Sequence, residues 1–167
     1  MKLQFLGAVD GVTGSRHLVD TGDRQILLDC GLFQGLKALR LRNWSPPPFD
    51  PRALDAVVLS HAHIDHSGLI PKLVKHGFTQ KIYCTHATAD LCGIMLPDSG
   101  SIQEMEVRQL NQRRVKRGEA EVDPIYTFED ANAALENFYG LGFETWFEPA
   151  PGIRARFWNA GHLLGSA

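Results

Sequence analysis

Short runs in which apolar and polar residues alternate mark the beginning of the chain. Three of them, at residues 2–8, 16–21 and 24–31, have the period of two that is typical of half-buried strands. A glycine-rich loop at residues 7–15 separates the first two runs, and Thr21-Gly22-Asp23 predicts a turn between the second and the third. The sequence therefore predicts three strands at the start of the fold.

The middle of the chain mixes strands and helices. Residues 35–44 predict a short helix or an irregular segment, which the three prolines at 46–48 end. The β-branched run at 56–60 predicts a buried parallel strand, and residues 81–85 predict a further strand. Between them, residues 67–77 predict a helix that Ser67 caps, with Pro71 in its first turn and Gly77 at its end.

The last part of the chain is mainly helical before it returns to strands. Residues 87–118 predict helices interrupted at Pro97–Gly100, and residues 127–140 predict another helix, capped by Thr127. Two strands are predicted at residues 143–148 and 153–161. This order of elements predicts an α/β fold in which loops at the ends of strands carry the chemistry.

Composition and charge exclude several classes of protein. With 167 residues, 44% of them apolar, the chain is long enough for one domain with a substantial core. The net charge of −2 gives no general attraction to nucleic acid or to an anionic membrane, and no apolar run approaches the ~20 residues of a membrane span. Three cysteines without a CxxC pair, and a start without a signal peptide, indicate reduced thiols and a cytoplasmic protein.

One basic run departs from this charge balance. Arginine and lysine are concentrated in residues 108–117, a segment that is predicted to end a helix. We expect a solvated helix end there, with contact to nucleic acid as the alternative. The candidate contacts are Arg113, Arg114, Lys116 and Arg117, with Arg108 one turn earlier.

The stretch SHAHIDHSG, residues 60–68, holds four side chains of metal-ligand type: His61, His63, Asp65 and His66. On a regular helix, residues two apart diverge by about 200°, but in an extended loop they point the same way, so His61 and His63 can share an ion. Asp65 and His66 would then face a second position. The spacing favours two neighbouring metal sites with zinc-type ligands over three histidines held by local hydrogen bonds.

Two residues elsewhere follow predicted strands in the same way. Asp29 follows the third run and is expected to orient a ligand histidine through a hydrogen bond. His162, preceded by Gly161, follows the last predicted strand and would complete a three-histidine site with His61 and His63. The remaining histidines are interpreted as ordinary polar or packing residues: His17, His76 and His86.

Six segments spread along the chain resemble those of a known family. They are FLGAVDGVTGSRHLV, ILLDCGLFQG, LSHAHIDHSGLIPKL, YCTHATADL, LPDSG and NAGHLLGSA. Together they are similar to the N-terminal half of metallo-β-lactamase-fold ribonucleases of the β-CASP group, bacterial and archaeal relatives of the endonuclease that cuts pre-mRNA 3′ ends. The H-x-H-x-D-H element is typical of the whole superfamily, whereas GVTGSRHLV with AGHLLGSA narrows the match to the members that cleave RNA.

The resemblance implies a four-layer αββα sandwich, of which residues 1–167 would form the first half. It also implies that two zinc ions activate a hydroxide that hydrolyses an RNA phosphodiester bond. Manganese or iron in place of zinc, and cleavage inside the RNA or from an end, stay open. The implied ligands are His61, His63 and His162 for one ion and Asp65 and His66, which also serve in catalysis, for the other, with Asp29 as a supporting aspartate.

Part of the family pattern lies beyond this sequence. Family members continue with a zinc-bridging aspartate, the β-CASP insert and further histidines, so we expect residues 1–167 alone to be inactive. A lone half of the sandwich would expose an apolar sheet face, which indicates a fragment of a longer protein or a homodimer that buries this face. Two alternatives stay open: a metallo-β-lactamase-fold hydrolase of thioesters or lactones, and a non-catalytic metal-binding or assembly module.

Overall fold

The computed structural model describes residues 1–9 and 11–167. The glycine-rich loop predicted at residues 7–15 includes Asp10, which lies outside the described residues. The strands are β1 (Lys2–Gly7), β2 (Arg16–Asp20), β3 (Gln25–Leu28), β4 (Ala56–Val58), β5 (Ile82–Thr85), β6 (Phe138–Leu141), β7 (Phe147–Ala150) and β8 (Ile153–Ala155). The helices are α1 (Lys37–Leu41), α2 (Ile64–Ser67), α3 (Ile70–Lys75), α4 (His86–Lys116) and α5 (Phe128–Leu135), with 3-10 turns at Arg42–Trp44 and Pro51–Ala53.

The first six strands form one mixed sheet in the order of the chain. β1, β2 and β3 pair antiparallel, and β3 to β6 then pair in parallel. At the β2–β3 turn, the Thr21 N–H donates to the carbonyl of Arg24 (2.9 Å), and Gly22 takes a φ of 98°, which glycine adopts without strain. The three N-terminal strands, their turn and the parallel strand β4 are therefore confirmed.

Alternate residues of the strands contribute to two cores, one on each face of the sheet. On one face, Leu27, Val57 and Ile82 belong to the larger core, which helices α3, α4 and α5 cover. On the other face, Ile26 and Ala150 meet in a smaller core beneath the β7–β8 hairpin, which is a second sheet. The described residues thus show three of the four layers of the predicted sandwich.

The second face of the large sheet is open at β1. Leu6 packs on the helical side, so Leu3 and Phe5 point to the opposite side, where both are exposed. The larger exposed apolar face expected of half a sandwich stays a prediction.

The predicted interruption of the long helix at Pro97–Gly100 is wrong. α4 runs through this segment without a break, and Cys92, Leu96 and Pro97 are buried along it. Burial of this face against the core outweighs the ~3 kcal/mol that a proline costs inside a helix. Although α4 has 31 residues, it is polar, and no helix within residues 1–9 and 11–167 is long and apolar enough to cross a membrane.

Four other boundaries differ from the prediction, and one of them is the end of the strand predicted at 153–161, which stops at Ala155. Ser67 does not cap a helix: it ends α2, and its hydroxyl donates to the carbonyl of Ala62 (2.8 Å), because the histidine segment forms a helical turn of its own. The helix predicted at 127–140 ends at Leu135, and the residues after it form β6, which pairs in parallel with β5. The strand predicted at 143–148 begins only at Phe147. The formation of β6 depends on its pairing with β5, a distant part of the chain that a local pattern does not contain.

Two glycines of α4 lead to opposite predictions for stability. A Cβ added at Gly100 would lie 2.7 Å from the carbonyl oxygen of Thr127, at the start of α5, whereas at Gly93 it would meet nothing within 4 Å. We expect Gly100→Ala to lower the free energy of unfolding by about 1–3 kcal/mol, because the backbones must separate, and Gly93→Ala to raise it by about 0.5–1 kcal/mol through helix propensity. Thermal unfolding followed by circular dichroism measures both variants. If Gly100→Ala raised the Tm as Gly93→Ala is expected to do, the close packing of α4 on α5 would be contradicted.

Candidate metal centre

The predicted ligands lie at one edge of the large sheet, where parallel strands end. Asp29 directly follows β3, and its N–H donates to the carbonyl of Val58 (3.0 Å), the last residue of β4. His61 and His63 follow β4 in a segment that is not helical, and α2 begins only after them. Because β3 and β4 are parallel, both loops leave the sheet on the same side, the usual position of sites in α/β folds.

Three imidazoles converge at this edge. The Nδ1 atom of His63 lies 3.1 Å from Nε2 of His61 and 3.2 Å from Nε2 of His162. One ligand atom from each histidine lies within 4.8 Å of those of the other two. A tetrahedral zinc ion with Zn–N bonds of about 2.0–2.1 Å separates its ligand nitrogens by about 3.3 Å. The donor set and its spacing therefore fit a single metal ion.

Asp65 and His66 lie directly beside this triad. The Nε2 atom of His66 is 3.8 Å from an oxygen of Asp65, and its ring centre is 4.0 Å from that of His61. A ring nitrogen and a carboxylate oxygen are both zinc-type ligands. The structure thus brings together all five residues that the sequence singled out, whereas their assignment to two ions stays a prediction.

Asp29 is buried and holds His66 in place. Its carboxylate accepts hydrogen bonds from the Ser15 hydroxyl (3.0 Å) and from both the N–H (2.8 Å) and the hydroxyl (3.0 Å) of Ser60. It also lies 2.7 Å from Nδ1 of His66. A proton on Nδ1 leaves Nε2 of His66 with a free lone pair on the side of Asp65, as a metal ligand requires. The two serines were not among the predicted site residues, although both lie within quoted motifs, Ser15 in FLGAVDGVTGSRHLV and Ser60 in SHAHIDHSG.

The pKa values of the site follow from burial and from this network. Burial by itself raises the pKa of Asp29, but the hydrogen bonds from His66 and Ser60 outweigh it and hold the pKa below its ordinary value. Burial by itself lowers the pKa of His66, but the hydrogen bond to Asp29 and the charge of Asp29 raise it above its ordinary value. Burial, followed by the charge of His66, lowers the pKa of His61 to about 4, so His61 is neutral at pH 7 and ready to bind a metal.

The opposite shifts at Asp29 and His66 predict how the stability of the metal-free protein depends on pH. The lowered carboxyl pKa contributes stability above 3.8, which is lost as the pH falls through the lowered pKa. The raised imidazole pKa contributes stability below 6.5, which is lost as the pH rises through the raised pKa. We therefore expect the contribution of the pair to be greatest between pH 3.8 and 6.5.

Thermal unfolding at a series of pH values, after removal of metal, measures this contribution. The His66→Gln variant cannot form the ion pair with Asp29. As the pH rises above 6.5, we therefore expect the Tm of the variant to decrease less than the Tm of the wild type. If the Tm of the wild type and the Tm of His66→Gln changed with pH in the same way, the pair would not stabilise the fold.

The loop that carries His162 is fixed to the junction between β5 and α4. The carbonyl of Gly165 accepts hydrogen bonds from the hydroxyls of Thr85 (2.6 Å) and Thr88 (3.1 Å). The hydroxyl of Ser166 accepts from the N–H of His162 (3.1 Å). Sequence reasoning missed both threonines. The signal that could have found Thr85 is its position directly before α4, where its side chain accepts from the N–H of Thr88 as an N-cap. These bonds determine where His162 stands relative to the other two histidines.

The basic run does not reach the histidines. Arg113, Arg114 and Lys116 lie at the end of α4, and Arg117 follows it, whereas the metal centre adjoins the start of this helix. At a rise of 1.5 Å per residue, the 27 positions from the first residue of α4 to Arg113 span about 40 Å. Arg114 pairs with Glu119 (3.1 Å). Nucleic-acid contact by this run therefore stays a prediction about a separate surface.

The sequence profile of the metallo-beta-lactamase superfamily matches residues 10–140. The chain belongs to this superfamily. A solved mutant of a metallo-beta-lactamase of Cronobacter sakazakii that carries the HARLDQ motif has a similar fold, with a TM-score of 0.55 and 20% identity over 98% of this chain and 52% of that one. The metallo-β-lactamase fold predicted from the sequence is thereby confirmed.

Curated relatives of this chain include proteins named as a ribonuclease and as transcription termination factors. It is 37% identical over 167 residues to a ribonuclease of Thermus thermophilus, covering 100% of this chain and 34% of the ribonuclease. It is 30% identical over 167 residues to a transcription termination factor of Methanocaldococcus jannaschii, covering 100% of this chain and 24% of the factor. The chain thus spans about a third or less of the length of these relatives.

Proposed function

We propose that this metallo-beta-lactamase domain is part of an enzyme that hydrolyses RNA phosphodiester bonds with two bound metal ions, zinc being the expected metal. The observation that carries the proposal is the convergence of His61, His63 and His162 beside Asp65 and His66. The ribonuclease named among the relatives supports RNA as the substrate.

Each residue has a definite part in this proposal. The three histidines would hold one ion, and Asp65 and His66 would contribute to a second. When bound, the ions supply Lewis acidity and lower the pKa of the attacking water. Asp29 keeps Nε2 of His66 free of a proton and fixes the ring, and neutral His61 needs to lose no proton before it binds a metal. The net charge of −2 makes bound cations the source of attraction for phosphate.

Cleavage of end-labelled single-stranded RNA tests the proposal. We expect the gene product that contains residues 1–167 to cleave it with zinc and to stop after chelation, and we expect residues 1–167 alone to be inactive. A lactone and a thioester are the comparison substrates. Hydrolysis of either of these without RNA cleavage would overturn the proposal in favour of a small-ester hydrolase, and metal binding without any hydrolysis would make the domain a non-catalytic module.

A further inference from the structure

Ser60 lies where the two sets of proposed ligands meet. It comes just after β4 and directly before His61. Its Oγ atom is 3.0 Å from a carboxylate oxygen of Asp29 and 2.9 Å from Nδ1 of His61. Its N–H donates to the other carboxylate oxygen of Asp29 (2.8 Å), and its carbonyl accepts from the N–H of Ala167 (3.0 Å), in the loop that carries His162. One serine thus contacts the supporting aspartate, one proposed ligand and the loop of another.

The proton of the Ser60 hydroxyl belongs to the bond with Asp29. A carboxylate only accepts hydrogen bonds, so two oxygen atoms 3.0 Å apart require the hydroxyl proton between them. Hydrogen bonds to a charged acceptor are also the stronger ones. The hydroxyl has no second proton and presents a lone pair to His61. Nδ1 of His61 is therefore the donor in the 2.9 Å contact.

A proton on Nδ1 of His61 leaves its Nε2 atom with a free lone pair. Nε2 is the atom that faces the other histidines of the triad, 3.1 Å from Nδ1 of His63. A neutral imidazole carries one proton, and the hydrogen bonds of its two nitrogens determine which of them holds it. Without the Ser60 hydroxyl, a proton on Nε2 could donate to His63, whereas a proton on Nδ1 would lose its acceptor inside the protein, since His61 is buried.

The same carboxylate acts directly on a ligand of the second set. Nδ1 of His66 lies 2.7 Å from Asp29 and 3.5 Å from Oγ of Ser60, so its proton is directed to Asp29. Asp29 thus reaches His66 by one hydrogen bond and His61 by two, with Ser60 between them. Each of the two proposed ions would have one ligand whose tautomer depends on this buried carboxylate.

We infer that Ser60 is a positioning residue of the metal centre, whose hydroxyl links Asp29 to His61 and keeps Nε2 of His61 free for the first ion. The position requires a hydroxyl, which donates one hydrogen bond and accepts another, and threonine supplies the same group. The inference rests on the proposed function in one respect, because it takes His61 as a metal ligand. It requires neither RNA as the substrate nor any hydrolysis.

Nitrogen chemical shifts of the histidines test the inference in the gene product that contains residues 1–167, freed of metal and at a pH where the rings are neutral. In the wild type, the proton of His61 should lie on Nδ1. In Ser60→Ala it should lie mainly on Nε2, whereas His66 should keep its proton on Nδ1 through its bond to Asp29. The signals of His61 are assigned by their absence in His61→Gln.

Zinc affinity, measured against a competing chelator, is the second readout. Loss of an outer hydrogen-bond partner weakens metal binding about 10–100-fold, and we expect a loss of this size in Ser60→Ala. Threonine keeps the hydroxyl, so Ser60→Thr should retain both the wild-type tautomer of His61 and the wild-type affinity. Circular dichroism shows whether each variant is folded.

Ser67→Ala is the matched control, because it removes another serine hydroxyl from the same segment. The hydroxyl of Ser67 donates to the backbone carbonyls of Ala62 (2.8 Å) and His63 (3.1 Å) instead of contacting a ring nitrogen. Its loss should lower the Tm but leave the proton of His61 on Nδ1. A change of tautomer in this control would contradict the inference, since any loosening of the segment would then move the proton.

Three further results would overturn the inference. The first needs no variant and is a proton on Nε2 of His61 in the metal-free wild type. The second is a proton that stays on Nδ1 of His61 in folded Ser60→Ala. The third is a loss of zinc affinity in Ser60→Thr as large as that in Ser60→Ala. If the tautomers and affinities are as expected but the wild type cleaves no RNA, the proposed function fails and the role of Ser60 stands.

Discussion

The His63→Ala variant is expected to lose the metal ion of the three-histidine site while keeping its fold. Nδ1 of His63 stands between Nε2 of His61 (3.1 Å) and Nε2 of His162 (3.2 Å), so its loss leaves two separated ligands. Loss of an outer hydrogen-bond partner alone weakens metal binding about 10–100-fold, so loss of this ligand should weaken it by more than about a hundredfold. Because the side chain of His63 is exposed, its removal leaves no cavity in a core.

Elemental analysis and a zinc titration against a competing chelator measure the loss in His63→Ala. Zinc should raise the Tm of the wild type by mass action and leave that of the variant unchanged. The matched control is His86→Ala, since His86 is an exposed histidine at the start of α4. If the wild type and His63→Ala bound zinc with equal affinity, the ion would bind elsewhere. If His86→Ala also lost zinc, the loss in His63→Ala would not be evidence for the three-histidine site.

In the Asp29→Asn variant, we expect His66 to change its tautomer and so to lose the ability to bind a metal through Nε2. One carboxylate oxygen of Asp29 accepts the Ser60 N–H (2.8 Å), and the other lies 2.7 Å from Nδ1 of His66. An asparagine that keeps its oxygen on Ser60 turns its NH₂ group towards His66. Nδ1 must then accept, the proton moves to Nε2, and the atom that faces Asp65 can no longer bind a metal. RNA hydrolysis by the gene product should fall by about a hundredfold or more.

Nitrogen chemical shifts of His66 at high pH, where the ring is neutral, distinguish the two tautomers in Asp29→Asn. Ser15→Ala is the matched control, since it removes one donor to the same carboxylate (3.0 Å) without placing a donor against His66. The control should lose about 1 kcal/mol of stability and keep the wild-type tautomer. A proton that stays on Nδ1 in Asp29→Asn would show that Asp29 does not determine the tautomer.

Four of the five proposed ligands could be grouped from the sequence because they lie within six consecutive positions, and only His162 comes from a distant segment. His61 and Asp65 adjoin one strand end, so their proximity depends on a few local dihedral angles. The position of Asp29 beside His66 followed from a rule that holds for parallel sheets, whose strands end at the same edge. The three N-terminal strands were accessible from their alternating apolar and polar residues, whereas the order of the strands in the sheet was not predicted.

The features that sequence reasoning missed depend on contacts between distant segments. α4 continues through Pro97 because its buried face packs on the core, which propensity does not report. β6 forms where a helix was predicted because Phe138 and its neighbours pair with β5. The bonds from Thr85 and Thr88 to Gly165 join residues 80 and 77 positions apart, beyond the range of any local pattern.

The three-histidine site joins residues that are 99 positions apart, since His63 and His162 meet there. An ion bound by both therefore acts as a cross-link that closes a loop of most of the chain. By analogy with a disulfide closing a loop of about 100 residues, the lost chain entropy of the unfolded state corresponds to about 4–5 kcal/mol. An ion bound as proposed by His61, His63 and His162 would thus also stabilise the fold, by tying the segment after β8 to the loop after β4.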